Sequence, residues 1–218
     1  MPDLWKVDFH CHTIYSKDSL TRLETLVRAG HTKGLNRLVV TDHNTIAGGR
    51  AAHALDPQMI IVGEEIKTTC GEILAAYVTE EIPAGLPPHE TIQRLREQGA
   101  FISVSHPFDS WRNGDWKLED LQEITSLVDA IEIFNARCTA FVDNQRSAEY
   151  AHQHGLAGTA GSDAHTAFEL GKVRLELPEF EGPDELRKVL PQGVVRGSLS
   201  PFWVHFASYY ARWRKMMV

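Results

Sequence analysis

The stretch KVDFHCHTIYSKDS, residues 6–19, alternates apolar and polar side chains and then supplies several residues of metal-binding types. Successive side chains of a β-strand point to opposite faces, so His10 and His12 project to one side while Phe9 and Cys11 point to the other. Two imidazoles on one side can meet at a single cation. The stretch therefore predicts a strand whose carboxyl end carries a metal site, with Asp18 close behind it.

The same arrangement recurs along the chain, because several apolar runs lead into histidine or a carboxylate. These residues are Asp42-His43, Glu64-Glu65, His106-Pro107 and Asp163-Ala164-His165. Imidazoles and carboxylates gathered from many segments are what a multinuclear hydrolytic site requires. A lone buried carboxylate is costly, and a cation removes that cost. The placement is typical of an active site at the carboxyl ends of barrel strands.

Periodicity predicts strands that alternate with helices along most of the chain. The predicted strands are Lys6–His12, Arg37–Thr41, Met59–Glu64, Glu72–Val78, Ala100–Ser105, Ala130–Asn135 and Leu156–Gly161. The predicted helices are Ser19–Lys33, His89–Gln98, Asp143–His154 and Asp184–Leu190. Alternating units of this length predict an α/β fold with a mostly parallel sheet that closes into a distorted barrel.

Length and composition favour one domain and are compatible with a small, charged substrate. The chain has 218 residues, of which 43% are apolar, enough to fill one α/β barrel. A formal charge of −7 argues against broad non-specific binding to nucleic acid. The three cysteines show no CxxC spacing, and no long apolar run predicts a membrane span. These features predict a cytoplasmic protein in a reducing compartment, and they leave the oligomeric state open.

Six motifs carry a family resemblance. In chain order they are FHCHTIYSKDS, VVTDHNT, GEEI, SHPFD, IEIFNAR and AGSDAH. They resemble the successive motifs of the polymerase and histidinol phosphatase (PHP) superfamily, over roughly residues 5 to 172. The resemblance implies a single-domain, distorted (βα)7 TIM-like barrel with two or three divalent metal ions, for which zinc, manganese and iron are all suitable. It also implies hydrolysis of a small phosphorylated metabolite or nucleotide phosphoester by a metal-activated hydroxide.

Carried over residue by residue, the resemblance implies three overlapping ligand sets. The first metal would be held by His10, His12, Glu65 and Asp163. Glu65 would bridge to a second metal held by His106. The third would be held by Asp18, His43 and His165.

One departure from the family pattern concerns the second metal. Related small phosphoesterases have a histidine in a GEIH-type run, and here Gly71-Glu72-Ile73 is followed by Leu74. One alternative is a second site that is weak or empty. The other is that Glu72, Cys70 or His89 takes the place of the missing imidazole.

Asp42 and Arg137 are the candidate catalytic residues outside the ligand sets. Asp42 precedes His43 and is a candidate to orient an imidazole or fix the turn, with helix N-capping as the alternative. Arg137 ends the IEIFNAR run, where its guanidinium could receive a phosphate or form a surface salt bridge. Arg112, in a loop with Trp111 and Trp116, could stack on a ring or pack on the barrel rim.

Residues 201–218 form a separate segment of the prediction, after a barrel that spans residues 1–200. This segment is rich in aromatic and basic side chains at helical spacing, which predicts a helix packed on the barrel or on a partner. A helix lying on a membrane is the alternative. Two other functions also stay open, a catalytically weakened binding or regulatory module and a metal-dependent amide hydrolase.

Overall fold

The computed structural model describes residues 4–109, 111 and 116–217, so Arg112 lies outside the described residues. The strands are β1 (Trp5–Cys11), β2 (Arg37–Val40), β3 (Ile60–Lys67), β4 (Glu72–Ala76), β5 (Phe101–Val104), β6 (Ala130–Asn135), β7 (Ala157–Gly161), β8 (Val173–Leu177) and β9 (Val194–Gly197). The helices are α1 (Leu23–Thr32), α2 (Ala47–Leu55), α3 (Pro88–Glu97), α4 (Leu118–Ile124), α5 (Phe141–His154), α6 (Gly182–Val189) and α7 (Val204–Met216).

The strands form one sheet in the order β7-β6-β5-β4-β3-β2-β1-β8-β9. The neighbours β1, β2 and β3 run parallel, as do β5, β6 and β7. The prediction of a mostly parallel sheet was wrong, because β4 is antiparallel to both β3 and β5, and β8 is antiparallel to both β1 and β9. Residues 68–71 link β3 to β4, and so short a link permits a hairpin but no crossover helix.

The sheet curls until β7 meets β1 from the other side. The backbone N–H of His12 donates to the carbonyl of Ala164 at 2.8 Å, and Cys11 and Ala164 form a parallel bridge. Gly161 lies so close to His10 that a Cβ at this position would collide with the His10 backbone. The predicted distorted α/β barrel is therefore confirmed, with a seam between β1 and β7.

Asp8 holds this seam. Its fully buried carboxylate accepts hydrogen bonds from the backbone N–H and the hydroxyl of Ser162, and from the Gly171 N–H at 2.8 Å. Burial raises the pKa of Asp8 to about 6, while the hydrogen bonds from Ser162 and Gly171 oppose that rise. One side chain of β1 thus joins β7 and the segment before β8.

Helix α1 begins four residues later than the predicted Ser19, at Leu23. The residues before it are instead committed to the carboxyl end of the barrel. The hydroxyls of Ser19 and Thr21 donate to the carbonyl of His165 at 2.9 and 3.0 Å. These bonds compete with helix formation and hold the loop after β1 against the loop after β7.

Helix α7 lies against the loop after β1. Its buried side is formed by Val204, Ser208 and Ala211. Arg212 donates to Asp18 Oδ2 at 2.8 Å, and Lys215 Nζ donates to the carbonyls of that loop. The opposite side exposes several aromatic rings. None of the described helices combines the length and apolar character that a membrane span requires.

Glu64 gives β3 a pH-dependent stability. It is buried on the face opposite to Glu65 and accepts a hydrogen bond from the Ile82 N–H at 3.1 Å. Burial, with a smaller contribution from the charge of Glu81, raises its pKa to about 8. The unfolded chain therefore loses this proton first, so stability should fall as the pH rises from about 4.5 to about 8.

We expect Glu64→Gln to remove that loss. The variant should exceed the wild type in free energy of unfolding by about 1 kcal/mol or more at pH 9, and by much less at pH 5. Urea denaturation at both pH values measures the difference, with the exposed Glu149→Gln as the control. An equal effect at both pH values would show that the carboxylate charge is not the cause.

Candidate metal centre

The four predicted ligands of the first metal converge in the barrel mouth. His10 Nε2 and His12 Nε2 lie 3.1 Å apart, and each is 3.4 Å from Glu65 Oε2. Asp163 Oδ1 is 3.5 Å from His10 Nε2 and 3.2 Å from His12 Nε2. Ligands bound at about 2.1 Å with angles of about 90–110° stand roughly 3.0–3.4 Å apart. These separations fit one cation, and we call the four residues the first cluster.

Three imidazoles around this point, those of His10, His12 and His165, are held by Nδ1, which leaves Nε2 to face the centre. His10 Nδ1 pairs with Glu132 Oε1 at 3.0 Å, and His165 Nδ1 pairs with the carbonyl of Asp163 at 2.8 Å. His12 Nδ1 pairs with Ser16 Oγ at 3.0 Å. Carboxylate, carbonyl and hydroxyl partners of this kind orient histidines that bind metals and fix their tautomer.

The predicted ligands of the third metal form another group of side chains, which lies next to the first cluster. Asp18 lies between two imidazoles, with Oδ1 at 3.3 Å from His165 Nε2 and Oδ2 at 3.5 Å from His43 Nε2. His43 also reaches Glu65, its Nδ1 lying 2.9 Å from Oε2. The backbone places it there, because the Glu65 N–H donates to the Asp42 carbonyl at 3.2 Å. We call Asp18, His43 and His165 the third cluster.

The predicted second set is also assembled. His106 Nε2 lies 3.1 Å from Glu65 Oε1, so the two oxygens of Glu65 face two different clusters. Glu72 Oε2 lies 3.5 Å from the same nitrogen of His106. The other two candidate replacements lie elsewhere: His89 pairs with Glu123 at the surface, and Cys70 packs beside the apolar core.

The charge balance of these clusters calls for cations. Asp18 Oδ1 and Glu65 Oε2 are buried and accept no hydrogen bond in the described part of the chain. Burial lowers the pKa of His43, but the charges of Glu65 and Asp18 outweigh it and raise that pKa to about 10. The clustered carboxylates thus draw protons onto a nearby imidazole. Divalent cations with nitrogen and oxygen ligands would satisfy the same charges, so the residues fit such metals.

Two of the predicted ligands have a strained backbone. Asp163 has φ 51° and His106 has φ 22°, both positive values that are uncommon for residues other than glycine. Strain of this kind persists where the surroundings over-determine the conformation, and it concentrates at functional sites. Both residues lie two positions after the end of a barrel strand, where the chain must turn while it presents a side chain to the centre.

Asp42 lies behind the clusters rather than in them. Its buried carboxylate accepts hydrogen bonds from the Thr13 N–H at 2.7 Å and from the Ser16 hydroxyl at 2.6 Å. Because Ser16 in turn contacts His12, Asp42 orients that imidazole through one intermediate. The N-cap alternative was wrong, since α2 begins at Ala47 without a side-chain cap. A catalytic role for Asp42 stays a prediction.

Arg137 is buried between the third cluster and helix α7. Its guanidinium donates to Ser208 Oγ at 2.9 Å and lies 3.5 Å from Glu169 Oε1. Burial lowers the pKa of His165 to about 3, and the positive charge of Arg137 adds to this effect. A surface salt bridge was therefore the wrong alternative, and the role in phosphate binding stays a prediction.

Sequence reasoning missed several residues that support the ligands. Glu132 contacts both His10 Nδ1 and the His106 N–H, the latter at 3.0 Å. The sequence could have indicated Glu132, because a carboxylate between Ile131 and Ile133 of a buried strand needs a partner. Arg212, which contacts Asp18, gave no signal because its distance along the chain from Asp18 hides the contact.

The chain belongs to the PHP-domain family. Residues 8–104 match the PHP domain and residues 142–195 match the PHP-associated family. The chain is also 37% identical over 186 residues to an uncharacterized protein of Methanocaldococcus jannaschii. The aligned residues cover 83% of this chain and 75% of that protein. The resemblance carried by the six motifs is therefore confirmed.

Solved structures share the fold at low sequence identity. PsfC from Pseudomonas syringae superimposes with a TM-score of 0.72 at 18% identity, covering 98% of this chain and 100% of that one. A two-domain protein of Bacteroides vulgatus that contains a predicted PHP-like metal-dependent phosphoesterase gives a TM-score of 0.71 at 17% identity, covering 97% of this chain and 72% of that one. At such identities the likeness concerns the fold alone.

Two further neighbours show that different activities occur on this fold. A lesion-specific endonuclease of Pyrococcus furiosus gives a TM-score of 0.60 at 16% identity, covering 88% of this chain and 57% of that one. An amidohydrolase of Chromobacterium violaceum gives a TM-score of 0.58 at 15% identity, covering 92% of this chain and 96% of that one. The fold therefore does not determine the substrate, which depends on the residues of the site.

Proposed function

We propose that this protein is a metal-dependent phosphoesterase that hydrolyses a small phosphorylated metabolite or nucleotide phosphoester. The observation that carries the proposal is the first cluster, whose donor atoms lie at the separations expected around one cation. The second set shares Glu65 with the first cluster, and the third cluster contacts Glu65 through His43. This arrangement supports two or three metals of the zinc, manganese or iron type. Membership of the PHP-domain family favours phosphoesters over other hydrolysable bonds.

Bound divalent cations would supply Lewis acidity, lowering the pKa of water and offsetting the charge of phosphate oxygens. Residues around the metals would hold the ligand side chains in the orientation that binding requires. Glu132 and Ser16 keep His10 and His12 in the tautomer that presents Nε2. The buried walls around these histidines limit the entry of bulk water and strengthen local electrostatics.

Positive side chains near the third cluster support an anionic substrate. Arg212 is half exposed beside Asp18, and Lys215 lies next to it over the loop after β1. Arg137 Nη1 makes no hydrogen bond within the described part of the chain. Guanidinium groups suit phosphate oxygens because they can donate two parallel hydrogen bonds. We propose that Arg137 contributes to phosphate binding.

A cytoplasmic location is part of the proposal. The chain has three cysteines without CxxC spacing, and two of them, Cys11 and Cys138, are buried. An odd number of cysteines without such spacing offers no disulfide framework, which is typical of proteins in a reducing compartment.

Metal removal is the direct test. We expect protein purified without chelator to contain at least two equivalents of metal by elemental analysis, and to hydrolyse p-nitrophenyl phosphate or its bis ester. Dialysis against a chelator should abolish turnover, and Mn²⁺ or Zn²⁺ should restore it. The exposed His152→Ala variant should behave as the wild type.

The two ester substrates separate a preference for monoesters from one for diesters. An acyl p-nitroanilide tested in parallel addresses the amide alternative. Hydrolysis of the anilide alone would replace the proposal with an amide hydrolase. Substoichiometric metal together with no turnover would favour the catalytically weakened binding module.

A further inference from the structure

The second set of ligands has a replacement for its missing histidine, and strand register supplies it. In the antiparallel pairing of β3 with β4, Glu65 lies opposite Leu74, so both side chains point to the same face. Two residues earlier on β4, Glu72 points to that face as well. The Glu72 carboxylate therefore reaches the barrel mouth from a position two residues before Leu74 on the same face of β4.

Leu74 cannot serve as a ligand, because its side chain carries no donor atom. Its side chain is 4% exposed and lines a small apolar space with Phe9 and Val39 inside the barrel. Glu72, in contrast, is 20% exposed and lies at the rim. The apolar Leu74 fills the interior beneath the site, while the longer reach of Glu72 brings a charged group over it.

The donor atoms around this point form a group in their own right. Glu72 Oε2 is 3.5 Å from His106 Nε2, which is itself 3.1 Å from Glu65 Oε1. Donor atoms of His43, Glu65 and Glu72 also lie within 4.8 Å of one another. Glu65 presents Oε1 to this group, while its Oε2 faces the first cluster.

We propose that Glu72 is a ligand of the second metal, completing a set with Glu65 and His106. The proposal rests on the metal centre of the proposed function. Two carboxylates and one imidazole make a harder and more negatively charged set than one with a second imidazole. Such a set favours oxygen-seeking cations such as Mn²⁺ more than an imidazole-rich set does.

Titration of metal-free protein with Mn²⁺, by calorimetry and by electron paramagnetic resonance, tests the proposal without any assay of activity. We expect Glu72→Gln to lose one equivalent of Mn²⁺ or to weaken one binding step by at least about 10-fold, since even the removal of a residue that only supports a ligand has a 10–100-fold effect. The exposed Glu149→Gln changes the net charge by the same amount and should leave the titration unchanged.

A double variant, Glu72→Gln with Leu74→His, tests the geometry. The new imidazole would stand where relatives carry theirs, so we expect it to restore the lost step and to shift its preference from Mn²⁺ toward Zn²⁺. Far-ultraviolet circular dichroism and thermal unfolding check that each variant is folded.

Wild-type Mn²⁺ binding in folded Glu72→Gln would overturn the proposal, even if the wild type is an active phosphoesterase. A wild type that binds a single Mn²⁺ would overturn it too. If Glu72→Gln loses the step while the wild type hydrolyses no phosphoester, Glu72 is still a ligand and only the proposed function fails.

Discussion

Asp163→Asn is expected to lose the metal of the first cluster and to lower phosphoester turnover by about 10³-fold. Asp163 Oδ1 faces both His10 Nε2 and His12 Nε2, at 3.5 and 3.2 Å, and an amide oxygen there carries no charge to offset a cation. Asparagine is the suitable replacement, because it tolerates the positive φ of this position. Elemental analysis and steady-state kinetics measure the two losses.

The size of the effect follows from the energy that a bound cation supplies. Charge stabilisation by a metal contributes several kcal/mol, and each 1.4 kcal/mol corresponds to about a factor of ten in rate. His12→Ala removes a different ligand of the same cluster and should give a loss of similar size, whereas His152→Ala should give none. Full metal content with full activity in Asp163→Asn would remove Asp163 from the ligand set.

Asp8→Ala is expected to lower the free energy of unfolding by about 3–5 kcal/mol. The substitution deprives the Ser162 N–H, the Ser162 hydroxyl and the Gly171 N–H of their buried acceptor. A buried donor left unpaired costs about 1–3 kcal/mol. Urea denaturation of metal-free protein isolates this effect from that of metal binding.

Asp8→Asn provides the matched comparison. It preserves the shape and one acceptor oxygen, but its NH₂ group would meet a donor on the other side, so an intermediate loss is expected. The urea dependence of unfolding should stay unchanged in both variants if only the native state is weakened. A loss below about 1 kcal/mol in Asp8→Ala would show that the seam holds without this carboxylate.

The parts of the centre that follow from local geometry could be predicted from the sequence. Strand alternation alone places His10 and His12 on one side, and the structure brings their Nε2 atoms to 3.1 Å. The same alternation was wrong for Phe9, which lies inside the barrel rather than beside Cys11, because the register of β1 shifts between Asp8 and Cys11. Asp163 and His165 were predicted from the same spacing, but a left-handed backbone at Asp163 and the bond from His165 Nδ1 to its carbonyl arrange them differently. Residue types were therefore predictable where detailed conformation was not.

Contacts that depend on register or on long separations could not be predicted. The place of Glu72 depends on β4 forming an antiparallel hairpin, and the spacing of the chain left Glu72, Cys70 and His89 as equal alternatives. The contact from Asp42 to His12 passes through Ser16, so neither residue's own surroundings in the sequence reveal it. The same holds for Arg212 and Asp18, which belong to opposite ends of the described chain.

The seam between β1 and β7 has a consequence for the order in which the protein folds. Asp8 and Ser162 are 154 residues apart, and contacts of such separation form late because a long loop must first close. His10 and His12 stand on one side of this seam and Asp163 on the other. The first cluster can therefore be complete only once the barrel has closed. The rate of tight metal binding during refolding consequently measures the rate of barrel closure.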